Sequence, residues 1–288
     1  MKYASAGFIS LLNGNSTFLM ADLYTLSLRS GSILHWAQAD TDISLSAQLF
    51  TASTDQGTQP LLQRGTIHMA KGLEVGTMDL DLLCGGSAQI AGIPATLYAH
   101  NGGFDGCRVK VERVFMPTWG DTSNGSTILF EGNVAGVDPS STLVTLHVKD
   151  DRERLTNTFP HALFMAGCSN TFGDPNCGKN LAALTDAGTA GSGTNINQVN
   201  VGTGHVDGYY NLGVLAMTSG AASGSRRAVK SYLSGIAVLT MPLPSAAAPG
   251  DTFTIYPGCA RSQAACGVWA NQGRFRGYPY VPPPETTR

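Results

Sequence analysis

The sequence predicts a mostly β protein in two parts: β-barrel or sandwich domains over 1–155, and a smaller β domain over 156–288 closed by four cysteines. Three observations carry this reading. Apolar residues recur with period two across the first half, which is the pattern of strands with one buried face. No strong helical period competes with it. In the second half, short strand-like runs lie between two cysteine pairs, Cys168 and Cys177 in GCSNTFGDPNCGKN and Cys259 and Cys266 in YPGCARSQAACGVW.

Taken in order, MKYASAGFISLLNG has one Lys and an apolar patch, as a signal peptide would. It lacks a small-residue cleavage site and runs into the strand-like STFLMADLYTLSL, so we read it as part of the fold. Tyr24, Leu26 and Leu28 point one way, Ser30-Gly31 turns, and Ile43, Leu45, Ala47 and Leu49 repeat the alternation. Further strands are expected around Met78, Leu80 and Leu82, through CRVKVERVF, at Ile128 and Phe130, and at Leu143 to Val148. TSNG and DPSS supply turns between them. The stretch DRERLTNTFPHALFMAG, with Pro160, reads as a connection. Residues 187–204, rich in Gly, Ser, Thr and Asn, read as a loop.

Four strand candidates follow, in YYNLGVLAMTSG, RRAVKSYLSG, IAVLTMPLP and DTFTIYPG. They make a small β-fold at 183–255, inserted between the cysteine pairs. Short helical turns fit Lys179–Thr185 and Arg261–Ala270, and YPYVPPPETTR reads as an extended, proline-rich tail frayed from Glu285 to Arg288.

Composition narrows function. Charged residues are 13% of the chain, about half the usual share, and Gly reaches 35 of 288 residues. The net charge of −2 gives no broad basic field for nucleic acid. No apolar run is long enough to span a bilayer. G-x-S-x-G, H-E-x-x-H, phosphate-loop and dinucleotide motifs are missing, and His35, His68, His100, His147, His161 and His205 never pair at ligand spacing. Asp40 and Asp42 in QADTDI read as turn caps rather than a cation site. A reducing cytosol makes thiols or metal ligands the expected state of the six cysteines. Cys84 and Cys107, beside strand patterns, are expected to be small core residues.

For the four paired cysteines, C-x8-C and C-x6-C are longer than zinc-knuckle spacings, whereas a cubane cluster tolerates wider loops. On spacing alone, zinc, disulfides and an iron–sulfur cluster all remain open. The flanking residues add a resemblance. CSNTFGDPNCG, GCARSQAACGVWANQGRFRGYPYVP and, in the first half, ADLYTLSLRSG, HWAQADTDI and ILFEGNV are similar to the tail-tip protein L family of lambda-like phages and to related phage and gene-transfer-agent hub proteins. Trp269 stands where that family's pattern has Phe.

The resemblance implies [4Fe-4S] ligation by Cys168, Cys177, Cys259 and Cys266. Lys179, Arg261, Arg274 and Arg276 would offset the cluster's negative charge, the two last from one strand face around Phe275. It further implies a non-enzymatic, homotrimeric ring at a phage tail tip, assembled in the host cytoplasm. The ring would join the distal tail protein to the central fibre or receptor-binding protein and pass the tape-measure protein and DNA without sequence-specific binding. An iron–sulfur electron-transfer protein and a zinc-stabilised adaptor are the alternatives.

Overall fold

Strands form where apolar side chains alternate, because every second residue of an extended chain faces the same side. In the computed structural model, which describes residues 6–14, 17–53, 58–69, 71–86, 88–156, 159 and 164–281, these strands divide between two units, Met1–Thr158 and Phe159–Arg288.

The first unit contains α1 (Ala6–Gly14), β1 (Leu19–Ser27), β2 (Ile33–Gln38), β3 (Ile43–Leu45), β4 (Gln48–Ala52), β5 (Leu61–Arg64) and β6 (Thr77–Leu83). It continues with the small pair β7 (Gln89–Ile90) and β8 (Ile93–Pro94), then α2 (Ala95–His100), β9 (Arg108–Met116), β10 (Ser126–Pro139) and β11 (Leu143–Lys149). Nine of these strands make one sheet in the order β3-β4-β2-β1-β9-β10-β11-β6-β5.

Tyr24, Leu26, Trp36, Met78, Leu80, Val109, Val111, Phe130, Leu146 and Val148 share one buried cluster, which requires the sheet to curl around them. Ser53 fastens the curl. Its N–H donates to Ala37 O at 3.0 Å, its hydroxyl donates to Pro60 O at 2.7 Å, and Leu62 N donates to that hydroxyl at 2.8 Å, so the β5 edge is clasped to β2. On the inward parity of β1 and β9, the nearly buried Asp22 receives Arg64 at 3.0 Å and Arg113 at 2.6 Å. Opposite-parity residues Ala21, Leu23, Ala37, Val114 and Met116 bury a second cluster beneath the β3–β4 hairpin.

Three expectations change here. Ser46 and Ala47 form a tight left-handed turn at φ 50° and 64°, so the alternation stops at Leu45; beyond it Phe50 is buried and Leu49 exposed. The opening residues form α1, with Phe8 and Leu11 buried and Phe8 edge-on to Phe115 at 5.1 Å. The short α2 buries Ala95 and Ala99 in the main cluster; six residues are too few to show a helical period. Cys84 and Cys107 are free and buried in that cluster, and burial pushes the Cys107 thiol up to about 12.

The second unit contains β12 (Asp186–Thr189), β13 (Gln198–Asn200), β14 (Val214–Met217), β15 (Arg226–Leu233), β16 (Ile236–Leu239), β17 (Thr252–Tyr256) and α3 (Gln263–Val268). Its sheet runs β12-β17-β14-β15-β16-β13 over a core that includes Val199, Tyr210, Leu215, Met217, Tyr232, Phe253 and Ile255. The stretch 187–204 is therefore not a free loop, since it supplies both edge strands. Its polar residues bond locally: Asn195 Oδ1 accepts from Asn197 N and Gln198 N, and Asn200 Nδ2 donates to Ser192 O. Polar composition hid the strands because such residues serve tight turns and sheet edges equally well. The 3₁₀ turn Ala182–Leu184 and α3 fall within the two expected helical stretches. Pro160, His161 and the prolines after Val281 lie outside the described residues.

Candidate metal centre

The first cysteine loop is shaped by Asp174. Its carboxylate accepts from Thr171 N at 2.9 Å and from Cys177 N, an Asx arrangement that turns TFGDPNC back on itself. Those amides, Cys177's first, hold its carboxyl below the usual range. Gly178 follows at φ +69°, and a Cβ there would lie 2.4 Å from Arg274 Nη1, so glycine is required both by conformation and by the guanidinium packed on it.

The second loop leaves β17 through Gly258, whose added Cβ would fall 2.1 Å from Leu212 O. Ser262 then caps α3: its Oγ accepts from Ala265 N at 3.1 Å, and its carbonyl accepts from Cys266 N at 3.0 Å. This places Cys266 on the buried side of a short helix and Cys259 on the approach to it.

Hydrogen bonds to backbone carbonyls join the loops. Cys168 N donates to Arg261 O at 2.7 Å, Ser169 N to Arg276 O at 3.3 Å, and Asn170 Nδ2 to Arg274 O at 3.1 Å. Cys168, Cys177, Cys259 and Cys266 consequently line one cavity, with Phe172, Trp269 and Asn271 among its other walls. N–H groups are aimed at three of the sulfurs: Arg276 N at Cys168 Sγ (3.3 Å), Arg261 N at Cys259 Sγ (3.4 Å) and Asn271 Nδ2 at Cys177 Sγ (3.5 Å). Burial first, and then the charges of Cys259, Cys168 and Cys177, push the Cys266 thiol up, while Lys179 opposes them. The other three sulfurs are thus close enough to disfavour ionisation of Cys266. Among the described residues, the four paired cysteines included, no group of three or more His, Cys, Asp or Glu side chains is placed to hold a metal ion.

The expected cations divide by role. Arg261 and Arg274 line the cavity, and Lys179 acts on Cys266 through charge. Arg276 contributes its amide, because its guanidinium turns to Phe275 O at 3.3 Å. Arg274 and Arg276 do not share a strand face, since Gln272–Arg274 form a 3₁₀ turn. Asn271 and Asp174 were not singled out from the sequence as site residues, although both sit inside the quoted motifs. A motif marks a neighbourhood, and only geometry shows that the Asn271 amide spans to Cys177 O at 2.9 Å as well as to its sulfur. Trp269 packs against Phe172 with ring centroids 5.1 Å apart, and both line the cavity. Elsewhere, Asp42 Oδ1 accepts from Ala52 N at 2.7 Å, a backbone-capping role.

Residues 5–180 match a family model described as "Baseplate hub protein, N-terminal attachment domain". Residues 208–285 match one described as "Phage conserved hypothetical protein BR0599". The first match includes Cys168 and Cys177, the second Cys259 and Cys266. Among solved structures, a chain of the "Virion of native gene transfer agent (GTA) particle" is similar at TM-score 0.73 and 21% identity, over 98% of this chain and 94% of that one. At that identity the likeness concerns the fold. No curated protein matches.

Proposed function

We propose, from the premise that this chain belongs to the baseplate hub family, that it is a structural, non-enzymatic component of a phage-type virion tail tip and that its four paired cysteines hold a [4Fe-4S] cluster. The observation that carries the cluster is the single cavity lined by Cys168, Cys177, Cys259 and Cys266, with N–H groups aimed at three of the sulfurs. Such donors lower the charge on thiolate sulfur and tune a cluster. The C-x8-C and C-x6-C loops are longer than zinc-knuckle spacings, and a cubane presents a separate iron to each thiolate.

When bound, the group would supply four metal–sulfur bonds that crosslink two loops distant in sequence. Loop closure of that kind removes conformational freedom from the unfolded chain. The chain's own residues do the rest. Asp174 sets the first loop, Ser262 the second, Asn271 bridges between them, and Arg261, Arg274 and Lys179 offset negative charge at the cavity.

In this reading the first unit forms the ring, as a homotrimer, between the distal tail protein and the central fibre or receptor-binding protein. The tape-measure protein and DNA pass through its lumen. Among the described residues no helix is long and apolar enough to cross a membrane. Anaerobic purification with iron and acid-labile sulfide analysis and Mössbauer spectra tests the cluster: equal iron and sulfide with cubane spectra are expected, and a colourless protein with one zinc per chain overturns it. Mass photometry with and without the distal tail protein tests the ring. Trimers are expected, and a monomer that never co-assembles overturns that part.

A further inference from the structure

Trp269 lines the cysteine cavity, and a chain of rings runs from it into the core of the second unit. Between ring centroids, Trp269 meets Tyr209 at 5.8 Å, Tyr209 meets Tyr210 edge-on at 4.9 Å, and Tyr210 meets Tyr232 at 4.9 Å. Tyr210 is fully buried, and its hydroxyl donates to Asp186 Oδ2 at 2.6 Å. The same carboxylate oxygen lies 3.2 Å from His205 Nε2, and the His205 ring is stacked on Tyr209 at 4.0 Å. Both Asp186 and His205 are half-buried, so they connect the buried phenol to solvent. A neutral acceptor would satisfy a buried phenol. A carboxylate backed by an imidazole is a base as well. Burial, and then the bond to Asp186, push the Tyr210 phenol well above its ordinary value, so it keeps its proton while reduced. Loss of an electron reverses this, because an oxidised phenol is a strong acid and gives its proton to a base it already touches.

We infer that Tyr210 is a redox site, oxidised from the cysteine cavity through Trp269 and Tyr209, with Asp186 as its proton acceptor. The oxidant is a one-electron metal oxidant at the cavity. Where the cluster proposed above is bound, its oxidised form fills that role, and to that extent the inference rests on that reading. In the step, one electron leaves the Tyr210 ring, crosses Tyr209 and reduces the oxidant by way of Trp269. The phenol O–H bond breaks and an O–H bond forms on Asp186 Oδ2. The products are a neutral tyrosyl radical, a neutral carboxylic acid and the metal oxidant with one electron gained. Electron transfer falls steeply with distance, so ring contact sets the route. Of the aromatic walls Phe172 and Trp269, only the indole is readily oxidised. Tyr232 adjoins Tyr210, but its hydroxyl meets Thr203 Oγ1 at 3.3 Å, which is no base, so the oxidising equivalent stays on Tyr210. Drawing it into the core spares the cavity's sulfurs from oxidation.

Flash oxidation of the full chain with tris(bipyridine)ruthenium(III) tests this, because so bulky an oxidant cannot touch the fully buried Tyr210. Electron paramagnetic resonance is expected to show a tyrosyl component that outlasts those of exposed tyrosines such as Tyr280. That component should be lost in Tyr210→Phe and much weakened in Trp269→Phe. Asp186→Asn keeps a hydrogen-bond acceptor but no base, and should lose it too. The same spectrum in the parent and in Tyr210→Phe overturns the redox site, and an undiminished yield in Trp269→Phe overturns the route. Since a substituted core can fail to fold, the unsubstituted chain supplies a second measurement. In heavy water the persistent radical is expected to couple to one exchangeable deuteron, the one passed to Asp186, and absence of that coupling overturns Asp186 as acceptor. The oxidant is added, so the result does not depend on iron. Absence of iron and sulfide refutes the cluster and leaves the radical to decide the relay, whereas absence of the radical in an iron-loaded chain refutes the relay alone.

Discussion

The two units stabilise themselves in different ways. The first wraps a nine-stranded sheet around a continuous apolar cluster, closes it with Ser53 and joins three of its strands at the Asp22–Arg64–Arg113 triad. The second has an apolar sheet core of its own, but its cysteine loops lie outside that cluster and are fixed by amide–carbonyl bonds, an Asx turn and N–H groups on sulfur. Where hydrophobic burial is ample, polar groups refine a fold. Where it is scarce, loops rely on backbone bonding and on whatever the thiols bind.

The sharpest way to break this contrast is Cys177→Ser. It should abolish iron binding and strip exchange protection from 166–180 and 258–277, leaving the sheet cores of both units intact. Protection unchanged after iron is lost would mean the loops hold without it. Asp22→Ala should act in the opposite place, destabilising the first unit by about 3–5 kcal/mol because two arginines lose a nearly buried partner. Denaturant unfolding with probes in each unit should show the second transition unmoved. Ser53→Ala removes the clasp between β2 and β5 and should cost about 1–3 kcal/mol in the same assay, by leaving the Leu62 amide without its acceptor.

The smallest expected effects depend on pH. His147 is pulled above its ordinary value by Asp138 and then Asp79, at 2.9 and 2.7 Å. Its contribution is full below the unfolded value near 6.5 and fades as pH rises through the raised folded value. The ring is 42% exposed, so screening keeps this to about half a kcal/mol. Asp174 runs the other way: its lowered carboxyl favours the folded first cysteine loop above the usual aspartate value, and that benefit is lost as pH falls through the depressed folded value. Melting of His147→Gln against the parent should therefore differ in mild acid and converge at alkaline pH. Asp174→Asn should weaken the cysteine loop at neutral pH and converge with the parent in strong acid.

Much of the strand pattern was legible because period-two alternation is a local property: Tyr24, Leu26 and Leu28, or Met78, Leu80 and Leu82, reveal a buried face without reference to any partner. The edge strands β12 and β13 were not, because an edge residue such as Asn200 is satisfied by turn contacts as well as by the ladder. Nor were α1 and α2, too short to carry a period.

The site divides along the same line. The four cysteines and their Gly, Asp and Asn surroundings are written in the chain, since tight turns demand those residue types wherever they occur. That the four thiols face one cavity, that Asn271 reaches Cys177, and that Arg276 offers its amide rather than its charge were decided by tertiary structure. Each depends on bringing residues 164–181 against 258–277, a pairing that no local rule of the chain specifies.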